Sequence, residues 1–573
     1  MASKTVLAPV KIDQLEVDLM VIGSGTGLAT ALAAKELGLN VAVAEKTKYV
    51  GGSTARSGGA FWIPANTVLK RDGAVDSLDR GEKYIESVVD GSGPAERWKA
   101  FLEYGDETVK MLERMTQLNF FWSKGYSDYH PEKPGGSAAG RSVESRPFDL
   151  NKLGDQLGRF QPATMAAPMP MPVTGADYKW MNLIAKAPHK AFPLIAKRLI
   201  QGAGGLLLGR NYSAGGQAIA GGMYAGALDA GIPVWTEAKL VDLEFTDGVV
   251  TAAVLEQSGE RVSVRTKYGV VLAAGGYDHN MKMRQEHQSP SLVEDLSLGA
   301  KGNHGDAIEL AQKHNAQLAS MQQSWWFPAV SPLKPGGSAK ILLAERSLPG
   351  SFMVDRSGRR FINESTDYMS FGQEILRREA DGDPVGEMWL IFDQTYRDSY
   401  IFAGQCYPRM ALPESWYKAG IAHKSSSISK LANKIEVPAQ ALEQTLSAFN
   451  EGAGTGIDDQ FGRGESAYDR YYGDPTQNPN PNLRALDGKT YYAVKIVLSD
   501  LGTCGGVMTD AQGRVLDNSG DVIEGLYAQG NTAANIFGNV YPGAGATIGQ
   551  GLVFGTIIAT HAAQKARELV RSA

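Results

Sequence analysis

Between residues 18 and 45 an apolar stretch, a run of glycines, an alanine-rich stretch and a second apolar stretch ending in an acid follow one another, an order that few folds accommodate. Residues 18–22 (DLMVI) have the composition of a buried strand, 23–27 (GSGTG) supply a tight turn, 28–37 read as helix, and 41–44 (VAVA) form a second strand running into Glu45. This is the pattern of a βαβ unit that binds a dinucleotide. Glycines let the backbone approach a pyrophosphate, the helix N-terminus presents N–H groups and a positive dipole end, and the acid takes ribose hydroxyls. Gly23, Ser24, Gly25 and Gly27 are therefore expected at the phosphates, and Glu45 with Lys46 at the ribose. Leu28 occupies the usual position of the third glycine, so Gly27 is expected to stand in for it.

A second glycine–serine loop follows at 50–59 (VGGSTARSGG), and a plain nicotinamide enzyme has no use for one. Such a loop lines a longer, flavin-bearing cofactor with backbone N–H groups. It nominates Gly51, Gly52, Ser53, Ser57, Gly58 and Gly59. Further strand-and-glycine segments at 269–277 (GVVLAAGGY), 302–306 (GNHGD) and 525–531 (GLYAQGN) add Ala274, Gly275, Gly276, Asp306, Gly530 and Asn531. Ala238, Ala546 and Ile548 complete the candidate cofactor set.

The 525–531 segment pairs with a helix expected over 549–563, so the nucleotide domain reads as split around an insertion. The expected fold class is α/β, with a discontinuous Rossmann-like FAD-binding domain over 1–322 and 488–573 and an inserted α+β catalytic (substrate) domain over 323–487. Within the insertion, strands are expected at 351–354 and 388–392, a helix near 431–449, and a proline–asparagine connector at 474–482.

Composition excludes other classes. The 67 glycines carry no three-residue period, and a net charge of -5 leaves no electrostatic footprint for nucleic acid. Two cysteines make neither a disulfide framework nor a thiolate cage, and the eight histidines show no HExxH-type spacing, so no metal is expected. The first residues lack the apolar core of a signal peptide, and no run of about 18 apolar residues occurs, so a cytoplasmic chain without a membrane span is expected.

Residues 51–64 (GGSTARSGGAFWIP), 127–132 (SDYHPE), 358–372 (GRRFINESTDYMSFG), 459–469 (DQFGRGESAYD), 497–516 (VLSDLGTCGGVMTDAQGRVL) and 539–549 (NVYPGAGATIG) together resemble the fumarate reductase/succinate dehydrogenase flavoprotein superfamily, and within it the 3-ketosteroid Δ1-dehydrogenases. The resemblance implies noncovalent FAD, since covalent relatives attach the flavin through a histidine in the loop occupied here by 51–59, which has none. It implies that Tyr541 and Gly545 hold a 3-keto oxygen, that Tyr368 removes a proton, and that Tyr129 assists it. The chemistry asks for such residues. A phenol O–H and a backbone N–H stabilise a developing enolate as an oxyanion hole does, which acidifies carbon 2. Free tyrosine, with a pKa near 10, is a poor base at neutral pH, so Tyr368 needs surroundings that favour its phenolate, including a hydrogen bond from Tyr129.

Tyr126, Tyr212, Tyr491 and Tyr492 read as packing residues. Trp325, Trp326 and Phe327 suit either the wall of a flat pocket or a core. Carboxylate-reducing relatives keep an arginine in the segment that reads NIFGNVYP (535–542) here, and none occurs, so a neutral, apolar ketone is the expected substrate. No second nucleotide fingerprint appears, which points to a quinone-like electron acceptor. Alternatives in the same class desaturate the 4,5 bond of a 3-ketosteroid or a simple ring such as cyclohexanone. A flavin-binding protein without catalysis is the alternative of a different class.

From 178 to 228 there is no acid, and over 178–210 lysines and arginines alternate with large apolar residues, a mixture that suits a helix lying on a membrane surface or an ordinary lid. The preceding 167–172 run (APMPMP) reads as an adaptable apolar rim.

Overall fold

The computed structural model describes residues 7–163, 169–486 and 488–572. Its first body is built on a six-stranded sheet in the order Arg514–Leu516, Val522–Ala528, Val270–Leu272, Leu19–Ile22, Val41–Glu45, Val234–Thr236, with every neighbouring pair parallel except the first. Leu19–Ile22, Val41–Glu45 and Val270–Leu272 are buried throughout, which is why they read as unbroken apolar runs rather than alternating ones. Helix Gly27–Glu36 follows the first glycine turn and lies against the C-terminal helix Ala546–Ser572. Their close approach depends on small residues spaced one turn apart. A Cβ on Gly551 would stand 2.6 Å from Thr26 Oγ1, and one on Gly555 2.8 Å from Thr30 Oγ1.

The second sheet is antiparallel, in the order Lys340–Ile341, Ser324–Val330, Tyr491–Thr503, Met388–Asp393, Ser351–Val354. The strand Tyr491–Thr503 belongs to this sheet although it follows 487, so we propose that the divide between the two bodies falls near 503; Asp487 itself lies outside the described residues. The motifs at 358–372 and 459–469 meet in its core. Arg360 makes paired bonds of 2.8 Å to Glu364 and Asp458, and Arg463 donates to Glu364 at 3.0 Å and to the Ser351 carbonyl at 2.7 Å. A buried charge cluster is tolerated because each member is paired.

Two expected helices differ in extent. The stretch 431–449 is two helices, Ile428–Lys434 and Ala439–Thr455, because Glu436 takes a positive φ of 57° and Pro438 has no N–H to continue the ladder. The C-terminal helix runs past both expected ends. In the basic–apolar insert, Gly175–Asn182 and Pro188–Leu207 are helices joined by an Asp177–Arg198 ion pair of 2.7 Å. Lys186, Lys190 and Lys197 are exposed there beside Phe192, Ile200 and the run Leu206, Leu207 and Leu208. No helix among the described residues is long and apolar enough to cross a membrane. Ala167 and Pro168 of the APMPMP run lie outside the described residues.

Candidate active site

A cavity of about 1080 Å³ opens at the carboxyl ends of the parallel strands and continues to the second sheet. Ligands of open α/β sheets bind at that end. Its first half is lined by Gly23, Ser24, Gly25, Glu45, Lys46, Gly52, Ser53, Ser57, Gly58, Gly59, Ala238, Ala274, Gly275, Asp306, Gly530, Asn531 and Ile548, so segments far apart in sequence converge on one surface. Gly27, Gly51, Gly276 and Ala546 do not face the cavity. Gly27 begins its helix and packs on Val21 and Ala273, Gly51 on Ala55 and Phe160, Gly276 on Thr503 and Asp278, while Ala546 is fully buried. They shape the wall from behind.

The two glycine loops form one hydrogen-bonded unit. The Ser24 hydroxyl donates to Glu45 Oε2 at 2.6 Å and accepts the Gly51 N–H at 3.0 Å, while the Thr47 N–H reaches Glu45 Oε1 at 2.9 Å. Gly52, at φ 48°, faces Gly25 with nothing but glycine backbone within 4 Å of where its Cβ would be. Bare backbone thus faces bare backbone across the cavity wall. Thr26 makes no side-chain cap to helix Gly27–Glu36, and the first turn carries no acid, so no side chain offsets the positive end of the helix that an anionic ligand would meet. Lys46 and Lys239 bind Asp306 at 2.5 and 2.8 Å; burial pushes this carboxyl up, but the two ammonium groups outweigh it and the net shift is downward. The glycine cradle, the helix start without a side-chain cap and the cavity-lining acid Glu45 fit the phosphates and sugars of FAD.

The far half is walled by aromatic rings. Tyr541 lies in the turn before the C-terminal helix, and Tyr368 is the first residue of helix Tyr368–Ala380, whose N-cap Asp367 accepts the Met369 and Ser370 N–H groups at 3.0 Å each. Tyr129 is fixed through its backbone, donating to the Pro542 carbonyl at 3.0 Å, and the Tyr84 hydroxyl reaches the same carbonyl at 2.6 Å. These anchors gather three rings, with centroids 5.5 Å apart for Tyr129–Tyr368, 5.2 Å for Tyr129–Tyr541 and 6.3 Å for Tyr368–Tyr541. Strand alternation sorts the aromatic triplet. Phe327 packs at 4.5 Å on Tyr368 and Trp325 at 4.9 Å on Tyr541, whereas Trp326 points to the opposite face against Gly372. Phe327 therefore lines the cavity and Trp326 is core.

The Gly545 N–H donates to the Tyr541 hydroxyl at 3.3 Å. Gly545 sits at φ 92°, and a Cβ there would lie 2.1 Å from the Ala60 carbonyl oxygen, so the position admits only glycine. Burial raises the pKa of Tyr541, and raises Tyr129 well above the ordinary phenol. Tyr368 is also raised by burial, against the opposing effects of the Tyr126 hydroxyl and of the Arg346 guanidinium, which lies 5.6 Å above its ring. The expected hydrogen bond from Tyr129 does not close to within 3.5 Å. That hydroxyl stands near enough to favour an ionised Tyr368, yet its oxygen has no hydrogen-bond partner among the described residues.

Tyr126 and Tyr212, expected to be packing residues, line the cavity, as do Tyr472 and Glu144, which the sequence reading passed over. Tyr126 stands three residues before Tyr129, and that spacing was a usable signal. Nothing local marked Glu144.

Residues 18–548 match the family described as FAD binding domain. The chain is 41% identical to the 3-oxosteroid 1-dehydrogenase of Mycolicibacterium smegmatis, over 95% of this chain and 96% of that one. It is 34% identical to the 4-oxocyclohex-2-ene-1-carboxylate 5-dehydrogenase of Sinomonas cyclohexanicum, over 94% and 92%. Among solved structures, it superposes with a TM-score of 0.89 and 31% identity on the 3-ketosteroid Δ1-dehydrogenase of Sterolibacterium denitrificans in complex with 1,4-androstadiene-3,17-dione, covering 96% of this chain and all of that one.

Proposed function

Because the chain belongs to the 3-oxosteroid 1-dehydrogenase family of FAD-dependent oxidoreductases, we propose that it introduces the 1,2 double bond into a 3-ketosteroid. Gly25, Gly52 and the start of helix Gly27–Glu36 would hold the FAD phosphates, and Glu45 the ribose. No histidine stands in 51–59, and the cofactor is held without a covalent link. Bound FAD supplies the acceptor for the hydride that leaves carbon 1.

The Tyr541 hydroxyl and the Gly545 N–H both donate to the 3-keto oxygen. Each such donor is worth roughly 3–4 kcal/mol to the developing enolate. Tyr368 removes the proton from carbon 2, with Tyr129 beside it favouring the phenolate. Proton and hydride together account for the two hydrogens lost, and a quinone-like acceptor takes the electrons in a second step. The observation that carries this reading is the convergence of Gly545 N–H, Tyr541 and Tyr368 at one end of a cavity whose other end is the cofactor cradle.

The rings of Phe327 and Tyr472 with Ile341, Leu343 and Ile401 give this end an apolar lining that favours a steroid over a small ring acid. We read the exposed apolar residues and lysines of 186–208 as a contact with an anionic lipid surface, from which an apolar ketone would enter. Locating the new double bond in the product formed from androst-4-ene-3,17-dione tests the 1,2 assignment. A 4,5 double bond formed from the saturated ketone alone, or turnover confined to cyclohexanone, would replace it.

A further inference from the structure

The helix Gly175–Asn182 crosses the substrate end of the cavity, with Gly175, Tyr178 and Met181 in its wall. It touches both bodies. Tyr178 packs against the core that holds the glycine loops, while Leu183 and Ala187, just beyond the helix, enter the core of the second sheet. Each body also presents one buried carboxyl group to it. From the first, Glu144 accepts the Gly175 N–H at 2.6 Å and the Ser123 hydroxyl at 2.5 Å. From the second, Glu345 accepts the Tyr178 hydroxyl at 3.4 Å and the Leu343 N–H at 2.9 Å.

We propose that Glu144 and Glu345 are positioning residues that hold the helix Gly175–Asn182 closed over bound substrate, one from each side of the cavity. For the identity of that substrate the proposal rests on the dehydrogenase reading.

Neither carboxyl group has an ion-pair partner among the described residues. Facing Glu144 are Asp177 of the helix itself and Tyr471; facing Glu345 are Tyr178, Tyr396 and Cys406. The nearby cations are engaged elsewhere. Arg346 donates to the carbonyls of Glu364 and Thr366, Arg198 pairs with Asp177, and Lys179 lies 4.5 Å over the Tyr471 ring. Burial without a cation disfavours the charged form, and it pushes both carboxyl groups up to about 7.

Once the helix swings out, water reaches both groups and they return to the ordinary carboxylate range. The closed state therefore binds more protons than the open one. Closure is fully favoured below that ordinary range, is progressively lost as pH rises from there to about 7, and changes no further above it. Steroid KM follows the same course, because only the closed helix completes the apolar wall.

The test uses the full-length holoprotein and androst-4-ene-3,17-dione as the probe. In wild type, KM is expected to rise severalfold across the window up to pH about 7, and steroid binding near the foot of the neutral range to take up protons, read by calorimetry in two buffers of different ionisation enthalpy. The double variant Glu144→Gln, Glu345→Gln keeps the acceptors but not the titration, so both the KM–pH slope and the proton uptake should vanish while the steroid still bleaches the flavin. Tyr178→Phe removes the hydroxyl that reaches Glu345 while leaving Glu144 in place, and serves if the double variant does not fold; it should raise KM more than it lowers kcat. An unchanged KM–pH profile and proton uptake in the double variant, or an unmoved KM in Tyr178→Phe, with bleaching intact, overturns the latch alone. No bleaching of wild type by the steroid overturns the ligand assignment and the latch with it.

Discussion

The backbone N–H of Gly545 donates to the hydroxyl oxygen of Tyr541 at 3.3 Å, which sets the two donors side by side at the end of the cavity, where a ketone oxygen accepting from both would replace that bond. An arrangement of this kind acts when negative charge develops on the oxygen between the donors. Tyr541→Phe removes one donor and leaves the ring packed on Trp325. Turnover is expected to fall roughly a hundredfold to a thousandfold, with flavin content unchanged, as measured by steady-state kinetics and visible absorbance.

Gly545→Ala tests the backbone rather than the donor. At φ 92° with the Ala60 carbonyl 2.1 Å from the added Cβ, the loop must shift. The strain is expected to cost about 1–3 kcal/mol, seen as a lowered thermal midpoint, and turnover should fall because the N–H moves with the loop.

Burial raises the Tyr368 phenol, and an effective base must be deprotonated. The rate of flavin reduction by steroid should therefore rise with pH through the neutral and alkaline range and level only above the pKa of Tyr368. Tyr368→Phe should abolish reduction at every pH. A Tyr126→Phe variant, which removes a hydroxyl that favours the phenolate, should displace the rise to higher pH; an unmoved profile would take Tyr126 out of the account.

Reversing the charge of Lys186, Lys190 and Lys197 to glutamate should abolish co-sedimentation with vesicles containing anionic lipid, while leaving activity on water-dispersed steroid in place. These side chains are exposed on the outer insert, away from the cavity.

The centre of the parallel sheet was readable because Leu19–Ile22, Val41–Glu45 and Val270–Leu272 are short, almost entirely apolar and followed closely by glycines or an acid, and the fingerprint at 18–45 required the first two to be neighbours. Helix ends were less readable: Ala546–Ser572 continues through polar residues whose place on the surface only packing decides. The tyrosines at 541, 368 and 129 were found through their motifs. Tyr126 and Tyr472 were not, because an aromatic ring in a loop looks alike whether it faces a core or a cavity. Glu144 was illegible for a different reason. Its burial and its contact with Gly175 arise from a long-range meeting of strand and helix that no local pattern encodes.

The central claim, removal of hydrogen from carbons 1 and 2 of a 3-ketosteroid with the electrons passing to FAD, is tested most directly by mixing the oxidised holoprotein anaerobically with androst-4-ene-3,17-dione, following the visible flavin absorbance and identifying the product. The account predicts bleaching in step with formation of androsta-1,4-diene-3,17-dione, slowed when carbon 1 or carbon 2 carries deuterium. Flavin that stays oxidised with this ketone, or a product whose new double bond lies elsewhere, would contradict it.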